Sequence, residues 1–371
     1  TEIFRNDIKF LPLLDKDLKL KGIAFKNRFN FIIDKFEIKK NSQSFIIAEI
    51  GINHNGDIEL AFALVDKAIE SGANCVKFQM RSKSLYRNDT NSEDLGSEYT
   101  LDLLSKFQLS NKELFTVFDY CKKKEILPLC TPFDIQSLME LEKYGMSGYK
   151  VASADLTNHI LLKELCKTQK PLICSTGMAT DEEIISAVEL LRKQGANFAL
   201  LHCNSTYPTP FKDINLNYLK KLKNIGQECQ VGYSGHERGY SVPIAAVSMG
   251  ARIIEKHFTL DRNMEGNDHK VSLLPSEFKE MVKSIRNVEI ALGNSKPRVI
   301  TQGEMMNREV LAKSLIANKF IAKGETISKS YIEIKSPGNG LQPYNLDKLV
   351  GRIATRDIAK DDFFYESDIK E

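Results

Sequence analysis

The chain has 371 residues, 42% of them hydrophobic and 27% charged, with 52 Lys and Arg against 49 Asp and Glu. That near balance excludes the bulk electrostatics of a nucleic-acid or membrane-surface partner. No segment approaches the ~18 continuous apolar residues of a membrane span, and the charged start TEIFRNDIKF lacks the apolar stretch of a secretory signal.

Residues 1–42 mix apolar and charged side chains, and 1–30 have no readable period. NFIIDKFEIKK, followed by the turn-rich NSQS, reads as a hairpin leading into the next strand, expected to cover the bottom of whatever follows. From Phe45 an alternation begins. Apolar, β-branched runs at 45–51, 75–80, 127–133, 148–153, 171–176, 198–203, 231–236 and 252–259 each precede a helical pattern, such as IELAFALVDKAIESG or DEEIISAVELLRKQG. Gly72, Gly145, Gly195 and Gly250 stand where helices need a left-handed closing residue. Eight βα units in about 250 residues predict an α/β fold, a (β/α)8 TIM barrel over 43–293. A doubly wound sheet also alternates, but no G-x-G-x-x-G follows the first run. Residues 294–309, NSKPRVITQGEMMNRE, read as a polar linker. Residues 310–371 change to short strands with Gly and Pro turns, a small β-rich domain of about 60 residues that needs another surface to lean on. The seven cysteines are odd in number, lack C-x-x-C spacing and often sit in apolar runs (Cys75, Cys130, Cys174, Cys203). They read as small buried hydrophobes of a reducing, cytoplasmic compartment.

In such barrels the reacting groups stand at the C-terminal ends of strands. Those positions hold Glu49, with Asn53 and His54 just beyond, then Lys77 and Gln79, Thr131, Lys150 and Ser153, Ser175 and Thr176, Ser205 and Tyr207, Ser234 and His236, and His257. Histidine is scarce, six in the chain, so His236 and His257 at the ends of consecutive strands form a pattern. Either each caps its strand through a hydrogen bond, or the pair holds one divalent metal with its other positions open. Lys77 and Lys150 interrupt apolar strands and need a counter-charge. Glu49 could supply one. A phosphate-plus-carboxylate ligand held among the Thr131, Ser153, Ser175 and Ser234 hydroxyls could supply it instead. A Schiff-base lysine is a rival reading. His54 and His269 stand as further ligands or substrate contacts, and His159 and His202 as structural residues.

The stretches AEIGINHNGD, KFQ, CTPFD, YKVAS, STGM, LLHCNSTYPTP, GYSGH and EKHFTLD follow one another as in the sialic acid synthase family, which includes N-acetylneuraminate, legionaminate and pseudaminate synthases. The tail, SLIANKFIAKGE through SPGNG to GRIATRDIAKDD, resembles the antifreeze-like (SAF) domain of those enzymes. The resemblance covers about residues 43–371. It implies condensation of phosphoenolpyruvate (PEP) with the open-chain aldehyde of an N-acylated amino sugar, N-acetylmannosamine or a related deoxy sugar. The product is a nonulosonic acid for cell-surface polysaccharide, and phosphate leaves by C–O cleavage. It implies metal ligation by His236 and His257, with Mn2+ first and Mg2+ or Co2+ as substitutes. PEP contacts fall to Lys77, Thr131, Lys150, Ser153, Ser175, Ser205, Tyr207 and Ser234, and sugar contacts to Asn53, Gln79, Asp268 and Lys335. Glu49, Lys77, Gln79 and His257 fall at the reacting atoms. It also implies a domain-swapped homodimer whose small domain closes the partner's barrel.

Departures from the family pattern bear on the sugar. Ser336 follows Lys335 where the family carries Arg, a planar bidentate donor. Ser205 replaces an Asn, MEGND replaces P-G-x-D while keeping Asp268, and Gly235 replaces an Asp beside His236, which would leave that histidine without an outer partner. The alternatives are another PEP-aldose condensation, of the 3-deoxy-octulosonate-phosphate type, and a non-catalytic carbohydrate-binding protein.

Overall fold

The structure, a computed structural model, describes residues 10–14 and 20–25 as backbone, and residues 30–82, 106–227 and 229–368 in full. Strands β1 (Phe10–Leu14) and β2 (Leu20–Phe25) pair antiparallel. A second hairpin follows, β3 (Phe31–Ile33) and β4 (Phe36–Ile38), turning through Asp34 and Lys35. Its alternation is that of a two-faced strand: Phe31, Ile33 and Ile38 are buried, while Ile32 faces solvent.

Eight parallel strands then close into a barrel: β5 (Phe45–Gly51), β6 (Cys75–Met80), β7 (Leu127–Pro132), β8 (Tyr149–Val151), β9 (Leu172–Ser175), β10 (Phe198–Cys203), β11 (Gln230–Gly235) and β12 (Ile253–His257), with β12 pairing back onto β5. This is the expected TIM barrel. Long helices such as Ile58–Glu70, Asn111–Lys123, Asp181–Lys193 and Pro275–Leu292 follow the strands. Ser110 with Glu113, and Thr180 with Glu183, form capping boxes that satisfy otherwise orphaned backbone N–H groups. Gly145 ends Ile135–Tyr144 at φ 87°, a conformation that burdens any residue with a Cβ.

Side chains alternate across each strand, and that period sets where the chemistry lies. On β5, Ile46, Ala48 and Ile50 point outward into the core shared with the helices. Phe45 and Ile47 point inward, joining Cys75, Leu127, Leu129, Ile173, Ala199, Leu201 and Ile253 in a lower layer. Phe31, Ile33 and Ile38 complete that layer, so the hairpin plugs the N-terminal end of the barrel. Each such side chain contributes about 1.5–3 kcal/mol when fully buried. One step further along five of these strands the inward position turns polar: Glu49 after Ile47, Lys77 after Cys75, Thr131 after Leu129, Ser175 after Ile173, Glu255 after Ile253. The barrel is therefore apolar below and ionic above.

The chain divides into two compact units between Gly293 and Asn294. In the second, β13 (Ser314–Ala317) pairs antiparallel with β14 (Ile332–Lys335), and isolated bridges join Ile316 to Phe363 and Ile321 to Ile358. Its own small core holds Leu315, Ile321, Ile327, Leu349, Ile358 and Phe364. Within the stretch expected to be a linker, a helix forms over Gln302–Leu311, started by a capping box between Thr301 and Glu304. Among the described residues no helix is long and apolar enough to cross a membrane.

Candidate active site

At the C-terminal mouth of the barrel lies a cavity of about 260 Å3. Glu49, Lys77, Gln79, Thr131, Lys150, Ser153, Ser175, Ser205, Tyr207, Ser234, His236, His257 and Asp268 all line it. They come from every one of the eight strands or the loops after them.

At its floor two lysines and two carboxylates, all buried, interlock. Lys77 Nζ lies 2.7 Å from Glu49 Oε2 and 3.8 Å from Glu255 Oε2, and donates to Thr131 Oγ1 at 3.3 Å. Lys150 Nζ lies 3.8 Å from Glu255 Oε1 and donates to Ser175 Oγ at 2.6 Å and to the Val151 carbonyl at 3.0 Å. Ser234 Oγ donates to Glu255 Oε1 at 2.9 Å. Both lysines thus have protein counter-charges, so an unpaired ammonium does not by itself call for an anionic ligand. Burial pushes the Glu49 carboxyl up to about 7, Lys77 pulls against that, and the neighbouring Glu255 adds to it. Burial would raise Glu255 too, but Lys150 and Lys77 prevail and hold it down at about 2. The two carboxylates are therefore driven apart, and Glu49 is the one able to take up and release a proton near neutrality. Lys77 suffers the same burial, yet Glu255 and Glu49 keep its ammonium above the ordinary lysine range.

The next wall carries the imidazoles. His236 and His257 sit on adjacent strands with ring centroids 5.3 Å apart. His236 Nδ1 lies 2.7 Å from the Asn204 carbonyl, which can only accept, so Nδ1 carries a proton; burial works against a charged ring here, but Cys203 and this bond raise His236 above the ordinary histidine value. Tyr207 stacks on that ring at 4.0 Å, its hydroxyl 2.9 Å from Nε2. His257 Nδ1 is buried without a hydrogen-bond partner among the described residues, and Asp268 Oδ2 is 3.7 Å away. Burial lowers His257 to about 4, so the ring is neutral. Among the described residues no three His, Cys, Asp or Glu side chains converge into a ready-made cation cage. What exists is a pair of adjacent imidazoles with a carboxylate beside them.

Ser153 and Ser205 meet over Gly177, where a Cβ would stand 2.8 and 2.3 Å from their hydroxyl oxygens, so a side chain there would force both hydroxyls to turn away. Gly177 N–H donates to Ser153 Oγ at 3.2 Å, while Ser205 Oγ is buried without a partner among the described residues.

Several expected site residues lie elsewhere. Asn53 does not line the cavity. It is buried behind the wall, its amide donating to the Phe258 carbonyl at 2.9 Å and to Ser272 Oγ at 3.0 Å, which ties the loop after β5 to the segment after β12. His54 and His269 are likewise structural: His54 Nδ1 accepts from Gly56 N–H at 3.1 Å, and His269 bridges Thr259 Oγ1 at 2.7 Å and Asn55 Oδ1 at 2.9 Å. His202 Nε2 bonds the Ile214 carbonyl at 2.7 Å. Lys335, expected to act at the barrel of a partner subunit, belongs to the second unit and pairs there with Glu333 at 2.7 Å and Asp361 at 3.0 Å. Two residues were overlooked in the sequence. Glu255 stands two before His257 and so shares its inward face. Arg81 stands two beyond Gln79; its guanidinium donates to Gln79 Oε1 at 2.5 Å and lies 4.3 Å over the Phe133 ring. That bond turns the Gln79 amide so that its NH2 donates to Glu49 Oε1 at 3.0 Å.

Comparison with known proteins identifies the family of the chain. The NeuB family pattern matches residues 64–297 and the SAF domain matches residues 312–370. The N,N'-diacetyllegionaminic acid synthase of Campylobacter jejuni is 39% identical, over 87% of this chain and 99% of its own length. A pseudaminic acid synthase from the same species is 34% identical, over 88% and 96%. The crystal structure of an N-acetylneuraminic acid synthetase from Leptospira borgpetersenii, in complex with citrate, superposes with a TM-score of 0.69 at 35% identity, covering 76% of this chain and 97% of that one.

Proposed function

The chain belongs to the NeuB family and is an enzyme of the sialic acid synthase type, and from that premise we propose that it condenses PEP with an unphosphorylated N-acyl amino sugar, giving a nonulosonic acid and phosphate. The observation that carries this reading is the juxtaposition, in one cavity, of the Glu49–Lys77–Glu255–Lys150 cluster with His236 and His257.

PEP brings a phosphate and a carboxylate. Lys77 and Lys150, with the hydroxyls of Thr131, Ser153, Ser175 and Ser234, are the donors for them, and the unpartnered Ser205 Oγ is a further one. Tyr207 stacks on His236 and closes that side. The cations lining the cavity among the described residues are those two lysines, already matched by two carboxylates. No Arg lines the cavity among the described residues, which favours the unphosphorylated aldehyde over the substrate of a 3-deoxy-octulosonate-phosphate type enzyme. Ile52, Phe133 and Met178 in the lining suit the methyls of N-acyl groups or a deoxy sugar. Asp268 and Gln79, both in the lining, are the residues assigned to sugar hydroxyls in this reading.

His236 Nε2 and the unpartnered His257 Nδ1 fit an open divalent-cation site, Mn2+ first and Mg2+ or Co2+ as substitutes, which when bound would polarise the sugar aldehyde as a Lewis acid. As C3 of PEP bonds to the aldehyde carbon, C2 gains cationic character, which the ionised Glu49 and Glu255 below it stabilise. Water adds at C2 and Glu49, titrating near neutrality, takes its proton. Collapse of the tetrahedral centre breaks the C2–O bond to phosphate and leaves a ketone. The two protons of the added water end on the new sugar hydroxyl and on the departing phosphate. An imine on Lys77 is disfavoured, because its carboxylates hold it protonated, whereas burial lowers Lys150 below the ordinary lysine range despite Glu255, so borohydride trapping with PEP or sugar tests the imine reading at Lys150.

We extend the proposal to a domain-swapped homodimer, since the helix Gln302–Leu311 leaves Met306, Val310 and Leu311 exposed; light scattering of the purified chain tests it. The reaction is tested by mass spectrometry after incubation with PEP, Mn2+ and a panel of N-acyl hexosamines, phosphorylated and free. A product carrying the added three-carbon acid with one phosphate released per turnover supports it. PEP left intact with every sugar refutes it.

A further inference from the structure

Directly behind the two imidazoles, on the outward face of β11 and β12, lies a second buried ion pair that the reaction does not touch. Lys256 Nζ is 3.0 Å from Glu237 Oε1, and both side chains are completely buried. The same ammonium also donates to the Glu237 backbone carbonyl. The Tyr233 hydroxyl donates to Glu237 Oε2 at 2.7 Å.

The placement is specific. Lys256 immediately precedes His257, and Glu237 immediately follows His236. Lys256 pairs in register with Gly235 across the two strands. The pair therefore joins the ends of β11 and β12 at the level of the rings. Gly235 completes the arrangement. A Cβ there would lie 2.6 and 2.9 Å from the two Glu237 carboxylate oxygens and 2.7 Å from Tyr233 Cε1, so any side chain collides with the anion. An Asp carboxylate ends about one bond angle beyond its Cβ, roughly 2.4 Å away by ordinary covalent geometry. An Asp at 235 would thus place its oxygens in the volume that Glu237 now fills.

We propose that Glu237 is a positioning residue, the buried anion that clamps β11 to β12 through Lys256 and sets the spacing of His236 and His257, and that this anion can be supplied from position 237 or from position 235 but not from both or neither. The acid that Gly235 does not supply is thereby provided from position 237, on the other side of His236. The inference rests on the cation site assigned above, and it explains why glycine occupies 235, where backbone conformation does not demand one. Removing the Glu237 carboxylate strands Lys256 in a site sealed from solvent, so the strand ends must part or rotate to hydrate it. Supplying an acid from 235 without removing Glu237 forces two carboxylates together and displaces the Tyr233 ring. With Glu237 shortened to Thr, the ring is no longer tethered through its hydroxyl and can yield to a Cβ at 235.

The test uses the full chain and four variants: Glu237→Thr, the near-isosteric Glu237→Gln, Gly235→Asp, and the double variant Gly235→Asp/Glu237→Thr. Each is measured for thermal unfolding, for Mn2+ affinity by calorimetry without substrates, and for kcat and KM with PEP. Glu237→Thr and Glu237→Gln should weaken Mn2+ binding at least tenfold and lower kcat to match, with KM for PEP within threefold of the parent. Gly235→Asp alone should be similarly impaired, and the double variant should recover to within about threefold. A clamp that only stabilises the fold would lower the unfolding temperature and leave Mn2+ affinity of the folded variants unchanged, which overturns the proposal. A double variant no better than Glu237→Thr overturns it as well. If Glu237→Thr fails to fold, Glu237→Gln against the double variant gives the same comparison. A parent protein that binds no Mn2+ at all refutes the cation site itself, a result distinct from any difference among the variants.

Discussion

Glu49 Oε2 stands 2.7 Å from Lys77 Nζ, and the two side chains are nearly sealed from solvent at the centre of the barrel mouth. Such a pair is weak evidence for stability, because the interaction in a dry site does little more than offset the loss of hydration. Its value lies in the asymmetry with Glu255, which takes the larger share of the lysine charge and leaves Glu49 at about 7.

Replacing Glu49 by Gln should therefore separate chemistry from folding. The amide keeps the shape and can still accept from Gln79, while Lys77 retains Glu255 as counter-charge. We expect turnover to fall about 10^2-fold or more, the scale of a lost general base, with thermal unfolding shifted by only a few degrees. Lys77→Met should do the opposite to the fold, leaving two buried carboxylates facing each other and costing about 3–5 kcal/mol. Turnover of Glu49→Gln within tenfold of the parent would remove Glu49 from the proton-transfer step.

Chelation is predicted to abolish turnover, and Mn2+, Co2+ or Mg2+ to restore it. Among the described residues His236 Nε2 meets only the Tyr207 hydroxyl and His257 Nδ1 has no hydrogen-bond partner, so a cation meets little competition from existing bonds. His257→Ala should not be rescued by added metal, whereas Tyr207→Phe should retain metal binding. Full activity after exhaustive chelation would count against the assignment.

Much of this site was legible because strands alternate. A lysine or histidine inside an apolar run has only two faces to choose from, and Lys77, Lys150, His236 and His257 all fall on the inner one. Glu255 escaped notice because Lys256 follows it at once, and an adjacent Glu and Lys read as ordinary surface charge although one points into the mouth and the other outward. Asn53 was misplaced for a different reason. Beyond the strand end there is no period to count, and the loop turns back at once, Asn53 N–H bonding the Ile50 carbonyl at 2.8 Å. The missing acid at Gly235 could not be traced to Glu237, since that substitution of place depends on two strands meeting through Lys256 and no local pattern announces it. The helix Gln302–Leu311 did have a local sign, the Thr301-x-x-Glu304 capping box, within what read as polar linker.

Buried neutral imidazoles should make the barrel acid-labile. Burial lowers His54 from 6.5 to about 4, against the opposing influence of the Gly51 carbonyl. Between those values the unfolded chain binds a proton there that the folded chain does not. Stability is therefore fully present above about pH 6.5 and falls as pH drops toward 4, by on the order of 3 kcal/mol from this residue alone. Urea unfolding at pH 7.5 and at pH 5 measures the loss, and His54→Gln, which can still accept from Gly56 N–H, should show a shallower dependence. An identical pH slope in the two proteins would mean that His54 is protonated without cost in the fold.

The hairpin plug offers a last check on the division between an apolar floor and an ionic mouth. Ile33 is fully buried among Phe31, Ile38 and the lower layer of the barrel, and its Cδ1 approaches within 2.8 Å of where a side chain on Gly148 would begin, just before Lys150 on β8. Truncation to Ala leaves a cavity that the closed barrel can only partly fill, and should cost about 2–5 kcal/mol. The reacting groups lie in the layer above, so kcat and KM at a temperature where the variant is folded should stay within about twofold of the parent. If Ile33→Ala instead lowers kcat tenfold at unchanged unfolding temperature, then the floor does not merely support the mouth, and Lys150, two residues along β8 from the contact at Gly148, is the residue through which the change would reach PEP.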